Sequence, residues 1–167
     1  MNGKLIVIEG LDGCGKATQS ALLYEELLRR GIKAEKISFP DYDSLSSGPV
    51  RMYLGGEFGT DPDDVDCYAT SVLFAVDRFC SYRSSWKQAY EEGTVFVCDR
   101  YTTSNEVFQT SKLPREGWKE YLRWLEDTYA DSVRRFRLEV CPQNPAAKRL
   151  YERYGYREMG YLPMVKD

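Results

Sequence analysis

The chain has 167 residues, 43% of them hydrophobic and 29% charged, which suits one globular domain with a real core and excludes a disordered segment. A formal net charge of −3 argues against a general nucleic-acid binder or a basic membrane-surface protein, so any recognition of phosphate has to be local. Five cysteines without a Cys-x-x-Cys pair fit reduced thiols better than a disulfide framework or a zinc site, and the lack of any histidine excludes imidazole catalysis; with neither a membrane-length apolar run nor a signal pattern, a cytoplasmic protein is expected.

Leu5 to Glu9 reads as a short buried strand, and Gly10-Leu11-Asp12-Gly13-Cys14-Gly15-Lys16 follows it directly. This is a glycine-rich phosphate loop as far as its lysine. Its glycines let successive backbone N–H groups turn inward toward phosphate oxygens, the following helix adds its positive end, and the lysine ammonium reaches the outer phosphates. The candidate phosphate-binding set is therefore Gly10, Leu11, Asp12, Gly13, Cys14, Gly15, Lys16, Ala17 and Thr18. Ala17 stands where a hydroxyl usually ligates magnesium, and Thr18 lies about 100° further round a helix, so metal ligation by the loop itself is not expected.

Ala17 to Arg30 reads as a helix closed by two arginines and Gly31, and Ile32 to Phe39 as a second strand ended by Pro40. Strand, helix, strand implies a parallel sheet with a right-handed crossover. Asp41 to Asp64 is rich in turn residues, with a short helix expected over Val50 to Leu54, and reads as a functional loop region. Val65, Ala69, Val72, Val76 and Phe79 then recur at helical spacing and predict a helix with an apolar core stripe. Phe74 and Arg78 lie four apart on another face of that helix, which suits a ligand wall. Thr94 to Cys98 is apolar on both faces and reads as a central parallel strand, with Asp99 and Arg100 at its carboxyl end, where open α/β sheets bind ligands. Pro114, Trp118, Leu122, Leu125 and Tyr129 space out a last packing helix.

The motifs LIVIEGLDGCGKATQ, Phe39-Pro40, YLGGEFG from Tyr53, LFAVDR from Leu73, DRYTTSN from Asp99 and SKLP from Ser111 give residues 1 to about 128 a resemblance to thymidylate kinases, which move the γ-phosphoryl group of ATP onto dTMP. The resemblance implies an α/β three-layer P-loop fold, a central parallel sheet flanked by helices, truncated or rearranged at its C-terminus. It implies that Lys16 and the loop hold the ATP phosphates, that Asp12 accepts from the sugar 3′-hydroxyl, that Phe74 stacks on thymine and Arg78 reaches the base edge, and that Arg100 clamps the acceptor phosphate. Phe39 lines the acceptor site, and Asp99 lies near the magnesium-bound phosphates. Lys16, Asp12 and Arg100 are the catalytic candidates. Mg²⁺ with ATP is the implied cofactor, dTMP the second substrate, and a homodimer through the Asp64 to Tyr82 helix the implied assembly, with neither nucleic acid nor membrane as a partner.

Two cations of the family pattern are absent: Asp41-Tyr42 follows Phe39-Pro40 where many relatives carry an arginine, and Gly13 stands where some carry a loop arginine. The mobile lid that compensates in such relatives has no counterpart after Thr128, so catalysis is expected to be impaired. Residues 129–167 resemble instead the C-terminal end of GNAT N-acetyltransferases, through Arg137 to Val140, Asn144 to Ala147 and Leu150 to Tyr156. No acetyl-CoA pyrophosphate loop accompanies them, so Asn144 and Tyr151 read as structural, Phe136 to Cys141 as a further sheet strand and Pro145 to Tyr154 as a helix packed on it. The alternatives to a kinase are a non-catalytic nucleotide-binding module and an acetyltransferase.

Overall fold

In the computed structural model three five-residue strands lie side by side in the order β1-β3-β2, both pairings parallel: β1 is Lys4–Ile8, β2 Ala34–Ser38 and β3 Val95–Asp99. The structure describes residues 3–10 and 13–129, all within one compact unit, Met1–Phe136. Leu11, Asp12 and the readings made on 130–167, Asn144, Tyr151, the further strand and its helix among them, lie outside the described residues.

The apolar run expected as a strand at 94–98 forms the central strand one residue later, at Val95–Asp99. Phe96, Val97 and Cys98 are fully buried, and a ring the size of Phe96 contributes about 1.5–3 kcal/mol by leaving water. Register decides what the sheet presents: Ile8 and Ser38 both pair with Asp99. Glu9, Phe39 and Arg100 therefore leave the three strands at one level.

Helix α1 (Lys16–Arg29) connects β1 to β2 and packs on β2 and β3. Its crossover spans the position that β3 later fills. The turn-rich region holds a single helical turn at Leu45–Ser47, α2 (Gly48–Leu54) and another turn at Pro62–Asp64. Helix α3 (Cys67–Ser81) widens into a π-helical segment at Tyr82–Trp86 and continues as α4 (Lys87–Glu91). Trp86 packs on Phe96 with ring centroids 5.1 Å apart. Helix α5 (Thr102–Thr110) and α6 (Trp118–Tyr129) complete the described residues. Pro114 does not open α6 but precedes a short turn at Arg115–Gly117.

The apolar stripe expected to bury α3 does not. Ala69 is exposed, and Val72, Val76 and Phe79 are 48%, 43% and 64% exposed. Val65 lies ahead of the helix, whose N-cap is Asp66. The buried face carries Thr70, Ser71, Asp77, Arg78 and Ser81 instead. Its hydroxyl and carboxylate side chains are satisfied by hydrogen bonds, as burial demands. Ser71 Oγ donates to Cys67 O and shares a 2.6 Å hydrogen bond with Tyr121 on α6, and Asn105 Nδ2 on α5 donates to Ser71 Oγ at 3.1 Å. Tyr121 and Leu125 then close a core with Cys67, flanked by Tyr68, Leu113, Leu122 and Trp124.

Candidate active site

The loop after β1 turns through left-handed backbone at Gly13 (φ 77°) and Gly15 (φ 85°), where a side chain would be strained. Gly15 is the N-cap of α1, and no side chain caps the helix. The first-turn N–H groups and the positive helix end thus face the loop. Lys16 opens the helix and is only 8% exposed, its Nζ donating to Cys14 Sγ at 4.0 Å. A buried ammonium at a helix N-terminus suits an anion, since burying that charge is costly unless it meets opposite charge. Ala17 and Thr18 are exposed, and the buried Ser20 hydroxyl is spent on Ala17 O at 3.0 Å.

At the same edge of the sheet β3 ends on Asp99, and Arg100 follows it. Arg100 adopts φ 66°, the one non-glycine residue among those described with positive φ. Its backbone N donates to Ile8 O at 3.1 Å and its Nη1 to Ser104 Oγ at 3.1 Å. Glu9, which sequence reasoning passed over as a strand end, ties this corner to the phosphate loop. Its Oε1 accepts from the Tyr101 and Ser104 backbone N–H groups at 2.7 and 3.2 Å, and its Oε2 from the Ser104 hydroxyl. A carboxylate accepting at the start of α5 satisfies donors that the helix cannot, and it favours the positive helix end. Cys98, buried beneath, donates from Sγ to Arg100 O at 2.9 Å, and its thiol is pushed well above its ordinary range by burial first and then by Glu9 and Asp99. It is an inert packing thiol.

Tyr101 is the hub of the third side. Phe39, 6% exposed, meets it edge-on at 5.4 Å and donates its backbone N–H to Asp99 O at 3.1 Å. Arg78, 5% exposed, sets its guanidinium 5.6 Å from the Tyr101 ring centroid, within cation–π reach. The structure thus gathers Phe39, Arg78, Asp99 and Arg100 around one tyrosine. Phe74 sits one turn before Arg78, half-buried, and meets the Tyr53 ring edge-on at 6.3 Å. The fully buried Asp77 organises the loop after Phe39: it accepts from Asp41 N at 3.0 Å and from Ser46 Oγ at 2.7 Å, while Ser81 Oγ donates to Asp41 Oδ2 at 2.9 Å. A single carboxylate inside the otherwise apolar LFAVD run was the signal for it.

Among the described residues no group of three or more acidic or cysteine side chains is placed to hold a metal, and no helix is long and apolar enough to cross a membrane. The donor set nevertheless suits magnesium bound through nucleotide. Asp99 Oδ1 is buried without a hydrogen-bond partner, and a Mg²⁺ ion held chiefly by phosphates and waters needs only one or two carboxylates.

Glu106, half-buried on α5, has its carboxyl pushed up from 4.5 to about 7, by burial first and then by Glu9 and Glu126, against the pull of Arg78. A carboxyl raised on folding binds its proton more tightly in the native state, so stability falls as pH rises from 4.5 to about 7 and the penalty is complete above that. Glu106→Gln is expected to remove this slope and to gain about 1–3 kcal/mol at a pH of about 8, with little gain at about 4.5, by urea unfolding. An equal gain at both would contradict the assignment.

Residues 8–159 match the family model described as thymidylate kinase. A probable thymidylate kinase of Pyrococcus horikoshii is 34% identical over 112 residues, covering 67% of this chain and 54% of that protein. The thymidylate kinase of Arabidopsis thaliana is 33% identical over 165 residues, 99% of this chain and 59% of that one. Among solved structures, thymidylate kinase from Candida albicans superposes with a TM-score of 0.60 at 24% identity, over 75% of this chain and 56% of that chain. The enzyme from Ehrlichia chaffeensis gives 0.56 at 22%, over 85% and 68%. These two bear out the α/β fold with its parallel sheet. The chain spans about half the length of the curated relatives it matches. The family match runs past residue 128 over most of the segment likened to an acetyltransferase, and that likeness finds no support. With a model match over residues 8–159, the chain belongs to the thymidylate kinase family.

Proposed function

We propose that the chain transfers the γ-phosphoryl group of MgATP to dTMP, giving dTDP and ADP. The observation that carries this is the register of the sheet: Ile8 and Asp99 end β1 and β3 at one level, so the loop leading to Lys16 and the Asp99-Arg100 corner leave the same edge of the sheet. A donor phosphate on the loop and an acceptor phosphate on Arg100 then face one another, and positioning of this kind supplies most of what phosphoryl transfer needs.

In this reading the loop N–H groups and Lys16 hold the β- and γ-phosphates, with Gly10 to Thr18 around them. Asp12 accepts from the acceptor sugar. Arg100 clamps the dTMP phosphate as a planar fork suited to phosphate oxygens. Phe74 stacks on thymine, Arg78 reaches the base edge, and Phe39 closes the pocket below. An oxygen of the dTMP phosphate attacks the γ-phosphorus, and the bond to the β–γ bridging oxygen breaks, leaving its electrons on ADP. The attacking group is already anionic near neutral pH, so no general base is required, in keeping with a chain that has no histidine. Bound magnesium would spread the negative charge of the transferring group, with Asp99 Oδ1 receiving its water shell. The exposed row Ala69, Val72, Val76 and Phe79 on α3 is assigned to a homodimer contact.

Ala17, which has no hydroxyl for the metal, favours a second reading, a module that binds nucleotide without turnover. Phosphorus NMR of MgATP and dTMP with the protein decides between them. The diphosphate signals of dTDP are expected. ATP held through Lys16 without dTDP supports the module, and ATP hydrolysed to ADP and phosphate without dTDP overturns the kinase reading.

A further inference from the structure

Lys112 stands in the connection between α5 and α6, half-buried, and its ammonium is fully used. Nζ donates to the Val65 carbonyl at 2.8 Å, to the Tyr53 hydroxyl at 3.0 Å and to Thr70 Oγ1 at 3.2 Å. An ammonium has three donors, and here each meets a neutral oxygen. None of the ion pairs among the described residues includes it, so it is not a surface lysine answering a carboxylate. Its three acceptors have one thing in common: they fix the frame of Phe74. Val65 and Thr70 bracket the first turn of α3, and Phe74 lies one turn after Thr70. Tyr53 lies near the end of α2, and its ring braces Phe74 edge-on at 6.3 Å and 82°. The same ammonium lies 5.1 Å from the Tyr53 ring centroid, the distance its bond to the hydroxyl sets, so the tyrosine is held by its hydroxyl.

We propose that Lys112 is a positioning residue for the acceptor nucleoside monophosphate, acting through Tyr53 to set the plane of the Phe74 ring on which a pyrimidine base stacks. The inference rests on the reading of Phe74 as the base platform. An aromatic held on an otherwise exposed segment rotates about two side-chain torsions unless something fixes it, and a stack is sensitive to ring plane and offset. The Lys112–Tyr53 bond removes that freedom before the base arrives, which lowers the cost of binding the acceptor and leaves the donor site untouched.

The test is steady-state ADP release by the full chain, with dTMP and MgATP varied in turn, for wild type, Lys112→Met, Tyr53→Phe, Phe74→Ala and the Tyr53→Phe/Phe74→Ala pair. Lys112→Met and Tyr53→Phe are expected to raise the KM for dTMP about 10-fold, with the KM for ATP and kcat within about 2-fold, the pattern of lost uniform binding. In the Phe74→Ala background Tyr53→Phe is expected to add nothing, because the two act through one ring. Tyr53→Phe removes a single oxygen and carries the test if Lys112→Met fails to fold. An unchanged KM for dTMP in both variants overturns the inference while the kinase reading stands, as does an equal loss in ATP and dTMP parameters. A wild-type protein without dTMP-dependent turnover overturns both.

Discussion

Lys16→Ala is expected to lower kcat/KM for MgATP by on the order of 10³-fold, with no loss of folding stability. Lys16 is the first residue of α1 and is almost wholly buried at the mouth of the phosphate loop. On the proposed reading its charge acts on the phosphates with little water to screen it, and loss of one such preorganised group costs about 10²–10³ in rate. The backbone N–H groups of the loop and the α1 dipole survive the substitution, so weak ATP binding should persist. Lys16→Arg should not rescue, since a planar fork on a longer stem cannot occupy the pocket of a compact ammonium. The stability half of the expectation follows from the cost of burying an ammonium, which alanine removes. Thermal unfolding beside steady-state kinetics checks both halves, and a variant that loses activity and melting temperature together would point to a structural lysine instead.

Arg100→Ala is expected to lower turnover by about 10³-fold, by analogy with other arginines that meet the charge of a transferring phosphoryl group. The backbone at this position separates a functional arginine from a structural one. Arg100 sits at φ 66°, where an L-residue bears a cost of about 1–2 kcal/mol that glycine does not. Arg100→Gly is therefore expected to melt at or above the wild-type temperature while losing turnover as fully as Arg100→Ala. The strain persists because Glu9 and Ile8 hold the corner from the neighbouring strand, the arrangement expected where backbone strain serves a site. If Arg100→Gly kept its activity, the guanidinium would not be the acceptor clamp.

Much of the frame was legible from local chemistry. The run TVFVC predicted a central strand because its valines, phenylalanine and cysteine are apolar on both faces, and the Asp-Arg that follows it leaves the carboxyl edge of the sheet, level with the end of β1. The loop glycines were read as letting the backbone curl, and Gly13 and Gly15 take left-handed φ. A central β3 fixes the order β1-β3-β2, but the register was not legible: that Ile8 and Ser38 both pair with Asp99 is recorded by nothing local to β1 or β2.

The face of α3 was misjudged for a physical reason. Apolar spacing reports which side of a helix is hydrophobic, and this helix buries the other side. Thr70, Ser71, Asp77 and Ser81 go inside because their hydrogen bonds reach Lys112, Tyr121, Ser46 and Asp41. Those partners lie 31 to 50 residues away along the chain, so the satisfaction that makes the polar face buriable is invisible to a helical wheel. Glu9 was missed in the same way. Its partners at 101 and 104 are more than ninety residues distant, and only the register of β1 on β3 brings them together.

The most direct test is ADP release from MgATP as a function of dTMP, with the wild-type chain, Lys16→Ala and Arg100→Ala run side by side. A saturable dependence on dTMP in the wild type, lost in both variants, is predicted if one crevice holds donor and acceptor phosphates between the loop and the Asp99-Arg100 corner. ADP release at the same rate with and without dTMP, or a dTMP response that survives Arg100→Ala, would contradict it.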